Sequence, residues 1–164
     1  MGVSIKQFER SHWEAVREIY GLGIATGNAT FETAVPDLDA WLLKFHTDLL
    51  WVALTKDVVV GWAGLQPVSA RPVYRGVVEV TIYVHPGHGG TGVGTALMQH
   101  LVVESEAAGI WTLYASIFPE NTASIRLHEA AGFREIGYRE RIAQMHGEWR
   151  NTVLYERRSE IVGI

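Results

Sequence analysis

Glu79 stands inside a run otherwise suited to burial, Val77-Val78-Glu79-Val80-Thr81-Ile82-Tyr83-Val84. Burying a carboxylate is costly unless it is paired or protonated. Two readings follow. Glu79 faces solvent or pairs with a cation such as Arg75, or it is a general base in a cleft, its pKa raised by partial desolvation. A second chemical feature begins a few residues on, in His85-Pro86-Gly87-His88-Gly89-Gly90-Thr91-Gly92-Val93-Gly94-Thr95. Glycines between a strand and a helix let backbone N–H groups turn toward one point. The helix N-terminus adds unpaired donors and partial positive charge, which together suit a phosphate or pyrophosphate. The plain alternative is a glycine-rich turn that binds nothing. A Walker loop is excluded because no Gly-Lys-Ser/Thr follows. A Rossmann fingerprint fits poorly: the loop lies past mid-chain, and the next strand, Trp111 to Ile117, carries no carboxylate. At roughly 3.3 Å per strand residue, a long-armed ligand anchored on the loop reaches back to Glu79.

The elements that must position these residues are legible in outline. Val3 to Phe8 reads as a first strand. Ser11 and Glu14 have capping-box spacing ahead of a helix whose inner face is Trp13, Val16, Ile19 and Tyr20. A polar stretch from Thr26 to Glu32 carries the aromatic Phe31, and Pro36-Asp37 opens a second helix with Leu38, Trp41, Leu42 and Phe45 on its apolar side. Leu50 to Thr55, the turn Lys56-Asp57 and Val58 to Leu65 form a β-hairpin. The Val77–Val84 strand, a helix from Ala96 to Ala108 and the Trp111–Ile117 strand form a β-α-β unit. Asn121 caps a helix that runs to Ala131 and closes near Gly132. Phe133 to Tyr138 and Thr152 to Tyr155 are two last strands. Hairpins early and β-α-β late place the chain in the α+β or mixed α/β class.

The chain has 164 residues, 48% apolar and 20% charged, the size and balance of one domain over residues 1–164. A net charge of −4 without a Lys/Arg cluster argues against nucleic acid as partner. With no cysteine, disulfides and thiolate metal sites are excluded, and no metal is expected. No apolar leader and no spanning run is visible, so a cytoplasmic location and no membrane partner are expected.

The block from Glu79 through Gly90-Thr91-Gly92-Val93-Gly94 resembles the GNAT acetyltransferases. So does Asn121-Thr122-Ala123-Ser124-Ile125-Arg126-Leu127-His128-Glu129, followed by Gly132-Phe133. Asn28-Ala29-Thr30-Phe31, Arg71-Pro72-Val73-Tyr74-Arg75 and His146-Gly147-Glu148-Trp149 are similar to the branch that acetylates phosphinothricin and methionine sulfoximine. The resemblance runs to about Arg157. It implies a strongly bent mixed sheet, splayed at its centre between the Val77–Val84 and Trp111–Ile117 strands, with helices on both faces. It implies acetyl-CoA as co-substrate: Ile82, Tyr83 and Val84 pair with the pantetheine arm, Gly90, Thr91, Gly92, Val93, Gly94 and Thr95 hold the pyrophosphate, and Asn121 meets the thioester end. The acceptor is a small amino-acid-like amine near Phe31, Arg71, Tyr74, Arg75, Glu79, Val80 and Thr81. Glu79 takes the amine proton, directly or through water, and a strand N–H stabilises the oxyanion. His128, where many members have tyrosine, is either the acid for the departing thiolate or a packing residue. The branch is usually homodimeric.

Two departures matter. Relatives usually carry Arg or Gln at the head of the glycine loop, where this chain has Gly89-Gly90, so weaker acetyl-CoA binding is expected. Relatives often have another arginine two residues before Arg71, where this chain has Ser69, which leaves the acceptor's identity open. A peptide N-terminal acetyltransferase and a non-catalytic acetyl-CoA sensor are the rival readings.

Overall fold

A computed structural model describes residues 2–164. The chain runs β1 (Ser4–Gln7), α1 (Trp13–Ala25), α2 (Leu38–Leu42), β2 (Leu50–Thr55), β3 (Val58–Pro67), β4 (Val77–Val84), α3 (Val93–Ala107), β5 (Thr112–Ile117), α4 (Thr122–Ala130), β6 (Arg134–Met145) and β7 (Glu148–Arg158). Among the described residues seven strands form one sheet in the order β1-β2-β3-β4-β5-β7-β6. All pairings are antiparallel except β4 with β5, which is parallel and joined through α3. This is the expected mixed α+β sheet with helices on both faces.

The β2–β3 hairpin turns through Lys56 and Asp57, both at positive φ (50° and 63°). That is the backbone of the two-residue turn whose twist matches the flanking strands. Strands β2, β3 and β4 are covered twice. On one face Val16, Ile19 and Tyr20 of α1 and Trp41 of α2 bury against Val52 and Trp62. On the other, Val93, Leu97, Met98 and Leu101 of α3 bury against Val60, Val78, Leu113 and Val153. Gly61 lets α3 settle close to the sheet: a Cβ there would stand 3.0 Å from the Tyr83 carbonyl and 3.1 Å from Leu97 and Val93.

Local expectations fail where tertiary contacts decide the ends. The turn before α1 is capped not by Ser11 but by Glu9, whose own N–H donates to His12 Nδ1 at 3.0 Å; Glu14 instead meets Arg17. Helix α3 starts three residues before Ala96, because Gly92 at φ 89° already opens the helix. Ser105, a polar residue, takes the buried place in the last turn of α3. The last two strands are far longer than their apolar cores and form one hairpin through His146 and Gly147. Among the described residues no helix is long and apolar enough to cross a membrane.

Candidate active site

The parallel pairing of β4 with β5 lasts for three rungs, Val77 with Thr112, Val78 with Leu113 and Glu79 with Tyr114. Beyond Glu79, β4 keeps only β3 and β5 keeps only β7. The sheet therefore splays at Glu79, as the resemblance implied. Glu79 is half-buried at the closed end of this wedge. Tyr114 lies beside it on the same rung, and Gln66 lies opposite it on β3. The Gln66 amide donates to the Glu79 carboxylate at 2.5 Å. Burial pushes the Glu79 pKa up, and the Gln66 bond offsets part of that. Neither Arg75 nor any other cation pairs with Glu79 among the described residues.

From Val80 to Val84 the outer edge of β4 has no strand beside it. Backbone groups in such a half-buried position need a partner from outside. Val80 commits its side chain to the core, so only its main chain is available to the wedge. Thr81 and Tyr83 share the Glu79 face by the strand's alternation. The Tyr83 ring is held by near-parallel stacking on Trp62, with centroids 5.1 Å apart at 12°, and by Tyr20 at 5.0 Å. Burial raises the Tyr83 phenol well above its ordinary range and pushes Tyr20 up to about 12, so both stay neutral. The side chains of Ile82 and Val84 pack on the α3 side. What Ile82, Tyr83 and Val84 offer the wedge is backbone.

The open edge leads to the glycine loop. Gly90 and Gly92 have φ of 72° and 89°, which an L side chain adopts only with strain. The first helical bond of α3 runs from Ala96 N–H to the Gly92 carbonyl. The N–H groups of Val93, Gly94 and Thr95 are therefore free of helical partners, and Gly90, Thr91 and Gly92 lie at the same exposed entrance. The Thr91 hydroxyl caps the His88 carbonyl at 2.5 Å. No lysine or arginine stands in the loop, so an anion there would be held by backbone donors and the helix dipole. An elongated ligand with phosphates at one end and hydrogen-bonding amides along its arm fits this edge and entrance.

Asn121 caps α4, accepting from Ser124 N–H at 3.2 Å, and its amide donates to the Asn28 carbonyl at 3.2 Å. That bond joins α4 to the segment carrying Phe31. Phe31 is half-buried, with its ring edge-on to Phe118 at 4.8 Å. Arg71, Tyr74 and Arg75 are all exposed. Arg71 lies over the Tyr74 ring, and Arg75 lies over Trp111 while donating to the Pro72 carbonyl. These three form a surface turn before β4, and neither arginine pairs with a carboxylate among the described residues. His128 is buried on α4: Nδ1–H donates to the Ser124 carbonyl at 2.7 Å, and the ring meets Phe133 edge-on. Nε2 is buried with no partner, and burial lowers the pKa, so the ring is neutral.

Four residues of this region escaped the sequence reading. Gln66 and Tyr114 are fixed beside Glu79 only by strand register. Phe118 and Arg150 reach the segment carrying Phe31 through contacts that span the chain. The lone amide of Gln66 near the end of apolar β3, and the place of Tyr114 in the polar–apolar alternation of β5, were the only local signs of the first two.

A wedge in a mixed sheet, with a desolvated carboxylate at one end and a phosphate-ready helix at the other, defines a transferase that draws its group from a long-armed carrier. Residues 12–133 match the family described as Acetyltransferase (GNAT), and the chain belongs to that family. It is by family an acetyl-CoA-dependent N-acetyltransferase. A phosphinothricin N-acetyltransferase of Streptomyces viridochromogenes is 32% identical over 97% of this chain and 89% of that protein. One from Streptomyces coelicolor is 37% identical over a shorter stretch, 60% of this chain and 58% of that protein. An L-methionine sulfoximine/L-methionine sulfone acetyltransferase of Salmonella typhimurium is 28% identical over 90% of this chain and 89% of that protein. Among solved structures, a phosphinothricin acetyltransferase of Sinorhizobium meliloti in complex with acetyl-CoA superposes with a TM-score of 0.90 at 30% identity, covering 99% of this chain and 91% of that one.

Proposed function

We propose that the chain acetylates the primary amine of a small amino-acid-like acceptor of the phosphinothricin or methionine sulfoximine type, with Glu79 as general base. The observation that carries this reading is the place of Glu79 at the point where β4 and β5 part, partly desolvated and without a cation partner among the described residues. An α-amino group has a pKa of about 8 and arrives largely protonated at neutral pH. A carboxylate whose pKa is raised is a better acceptor for that proton than an exposed one. Acetyl-CoA, when bound, supplies the activated acyl group. The open backbone of Ile82, Tyr83 and Val84 would hold its arm, and the N–H groups from Gly90 to Thr95 its phosphates. Asn121 would lie near the arm's reactive end. Phe31, Thr81 and the Arg71–Arg75 turn would bound the acceptor, with Arg71 and Arg75 as nearby cations for its carboxylate.

His128 acts as an acid only after Nε2 takes a second proton, which burial opposes. In the proposed sequence water protonates the departing thiolate, and His128 packs α4; a His128→Phe variant with turnover lost across the pH range would restore the acid role. Assembly as a homodimer belongs to the same proposal. Exposed Ile136, Tyr138 and Ile142 on the edge strand β6 support it, and sedimentation measures it. The reading is tested by thiol release from acetyl-CoA with phosphinothricin, methionine sulfoximine, free amino acids and short peptides as acceptors. Release with the first two and not with peptides is the expected result. Release with peptides alone would favour N-terminal acetylation, and none with any amine a sensor.

A further inference from the structure

Arg150 projects from β7, yet its guanidinium ends at the C-terminus of α1. Nη1 donates to the Gly27 carbonyl at 2.8 Å, and Nη2 to Asn28 Oδ1 at 2.8 Å and to Glu120 at 3.4 Å. Its side chain is only 13% exposed, and the guanidinium lies 4.1 Å from the centre of the Phe118 ring. Phe118 in turn meets Phe31. Gly27, at φ 73°, turns the chain out of α1 just where the helix carbonyls carry partial negative charge. A planar fork with several donors and a stacking face suits that end better than an ammonium.

From Gly27 to Asp37 the chain has no helix or strand. Its far end is tied by Val35, packed on the α1 cluster, but residues 26–32 otherwise have turn bonds donated to the Thr26 and Thr30 hydroxyls, the neighbouring Tyr83 hydroxyl at Thr30, and an exposed pair of Lys44 with Glu32 at 3.5 Å. The ties that cross to the other half of the sheet converge on Asn28 and Gly27, from Arg150 and Asn121. The glycine loop and the β4 edge make no bond to Arg150 among the described residues.

We propose that Arg150 is a positioning residue for the acceptor amine, a latch that holds residues 26–31 so that Phe31 stands as a fixed wall of the acceptor cleft. This rests on the reading of the cleft given above. Without the latch, ordering the segment is charged to acceptor binding. Acetyl-CoA binding, which draws chiefly on β4 and the glycine loop and meets the segment only through the Asn121–Asn28 bond, is affected far less.

The test compares Arg150→Ala, Arg150→Lys and Asn28→Ala with the unaltered protein by hydrogen exchange and by kinetics with phosphinothricin and acetyl-CoA. Arg150→Ala should speed amide exchange in residues 26–32, and raise the acceptor KM by about tenfold or more while the acetyl-CoA KM stays within about twofold. Arg150→Lys should recover part of the loss. Asn28→Ala, at an exposed position that leaves the core untouched, should shift both readouts the same way by less, and add nothing to Arg150→Ala. Unchanged exchange at 26–32 overturns the latch, as does a parallel rise in both KM values. Exchange needs no turnover, so a failure of the latch is distinguishable from a failure of the acetyl-transfer reading.

Discussion

Gln66 and Glu79 face each other across β3 and β4, and the Gln66 amide is the hydrogen-bond donor to the Glu79 carboxylate. It favours the ionised form against a burial that disfavours it, and burial wins. Removing the donor should raise the Glu79 pKa further. The acid limb of kcat/KM should therefore lie above the ordinary carboxylate range in the unaltered protein, and move to still higher pH in Gln66→Leu. A limb that stays put in Gln66→Leu would show that another group titrates there.

Replacing Glu79 itself separates activity from stability. Its folded pKa lies above its unfolded value, so stability linked to it is whole below about 4.5 and is lost as pH rises through the folded pKa. Glu79→Gln removes that loss and keeps a partner for Gln66. Thermal melts should show the variant at least as stable as the parent at pH 7.5, with the difference shrinking toward pH 4. Turnover should fall by about 10²- to 10⁴-fold. A variant that melts lower at pH 7.5, or turns over normally, contradicts the assignment.

The sequence carried the parts of this site that are local. Glu79 was conspicuous because a carboxylate in a β-branched strand breaks a burial pattern, and the glycine loop because strand–glycine–helix is a contiguous signal. The splay was not visible in composition or period. It came from a family resemblance, since nothing in β4 alone says which strand lies beside it or where pairing stops. Gln66 and Tyr114 were missed for the same reason, as register puts them next to Glu79. The Arg150 contacts, across more than a hundred residues, have no local signature. The full length of β6 is not marked by an apolar pattern, since Arg139-Glu140-Arg141 is charged; pairing with β7, resumed at Ala143 after an irregularity, carries the strand on to Met145.

Two glycines of the loop should respond differently to substitution. Gly92 has φ 89°, and an alanine there would cost about 1–2 kcal/mol. Gly92→Ala should lower the melting temperature by a few degrees and weaken acetyl-CoA. Gly89 is in an extended conformation at φ −61°, ψ 139°, and a Cβ would come no closer than 3.6 Å to the Pro86 carbonyl. Gly89→Arg should fold without penalty and place a cation beside the backbone donors. Calorimetry should show tighter acetyl-CoA binding with a steeper salt dependence. Equal affinity for Gly89→Arg and the parent would mean that the phosphates lie elsewhere.

Gly23 and Tyr83 make a contact with no room to spare. A Cβ on Gly23 would come within 2.5 Å of Tyr83 Cδ1 and Cε1, and that ring is already confined by Trp62 and Tyr20. Gly23→Ala must move α1 or Tyr83, at about 1–3 kcal/mol. Moving Tyr83 shifts the β4 edge, so acetyl-CoA affinity should fall along with the melting temperature. Tyr83→Leu added to Gly23→Ala should relieve the clash and make the pair less destabilised than the sum of the single changes.

His128 gives the protein an acid-side weakness. Its pKa is lowered by burial, so the folded form stays neutral while the unfolded chain takes up a proton near 6.5. Stability that is whole above that value is lost as pH falls toward the folded pKa. His128→Phe cannot take that proton and leaves no unpartnered Nε2, though it gives up the bond to the Ser124 carbonyl. Denaturant melts from pH 8 to pH 5 should show the parent losing more stability than His128→Phe. The variant should be the weaker of the two at pH 8 by about 1 kcal/mol, the net worth of the lost hydrogen bond. Parallel curves over the whole range would place the proton on another group.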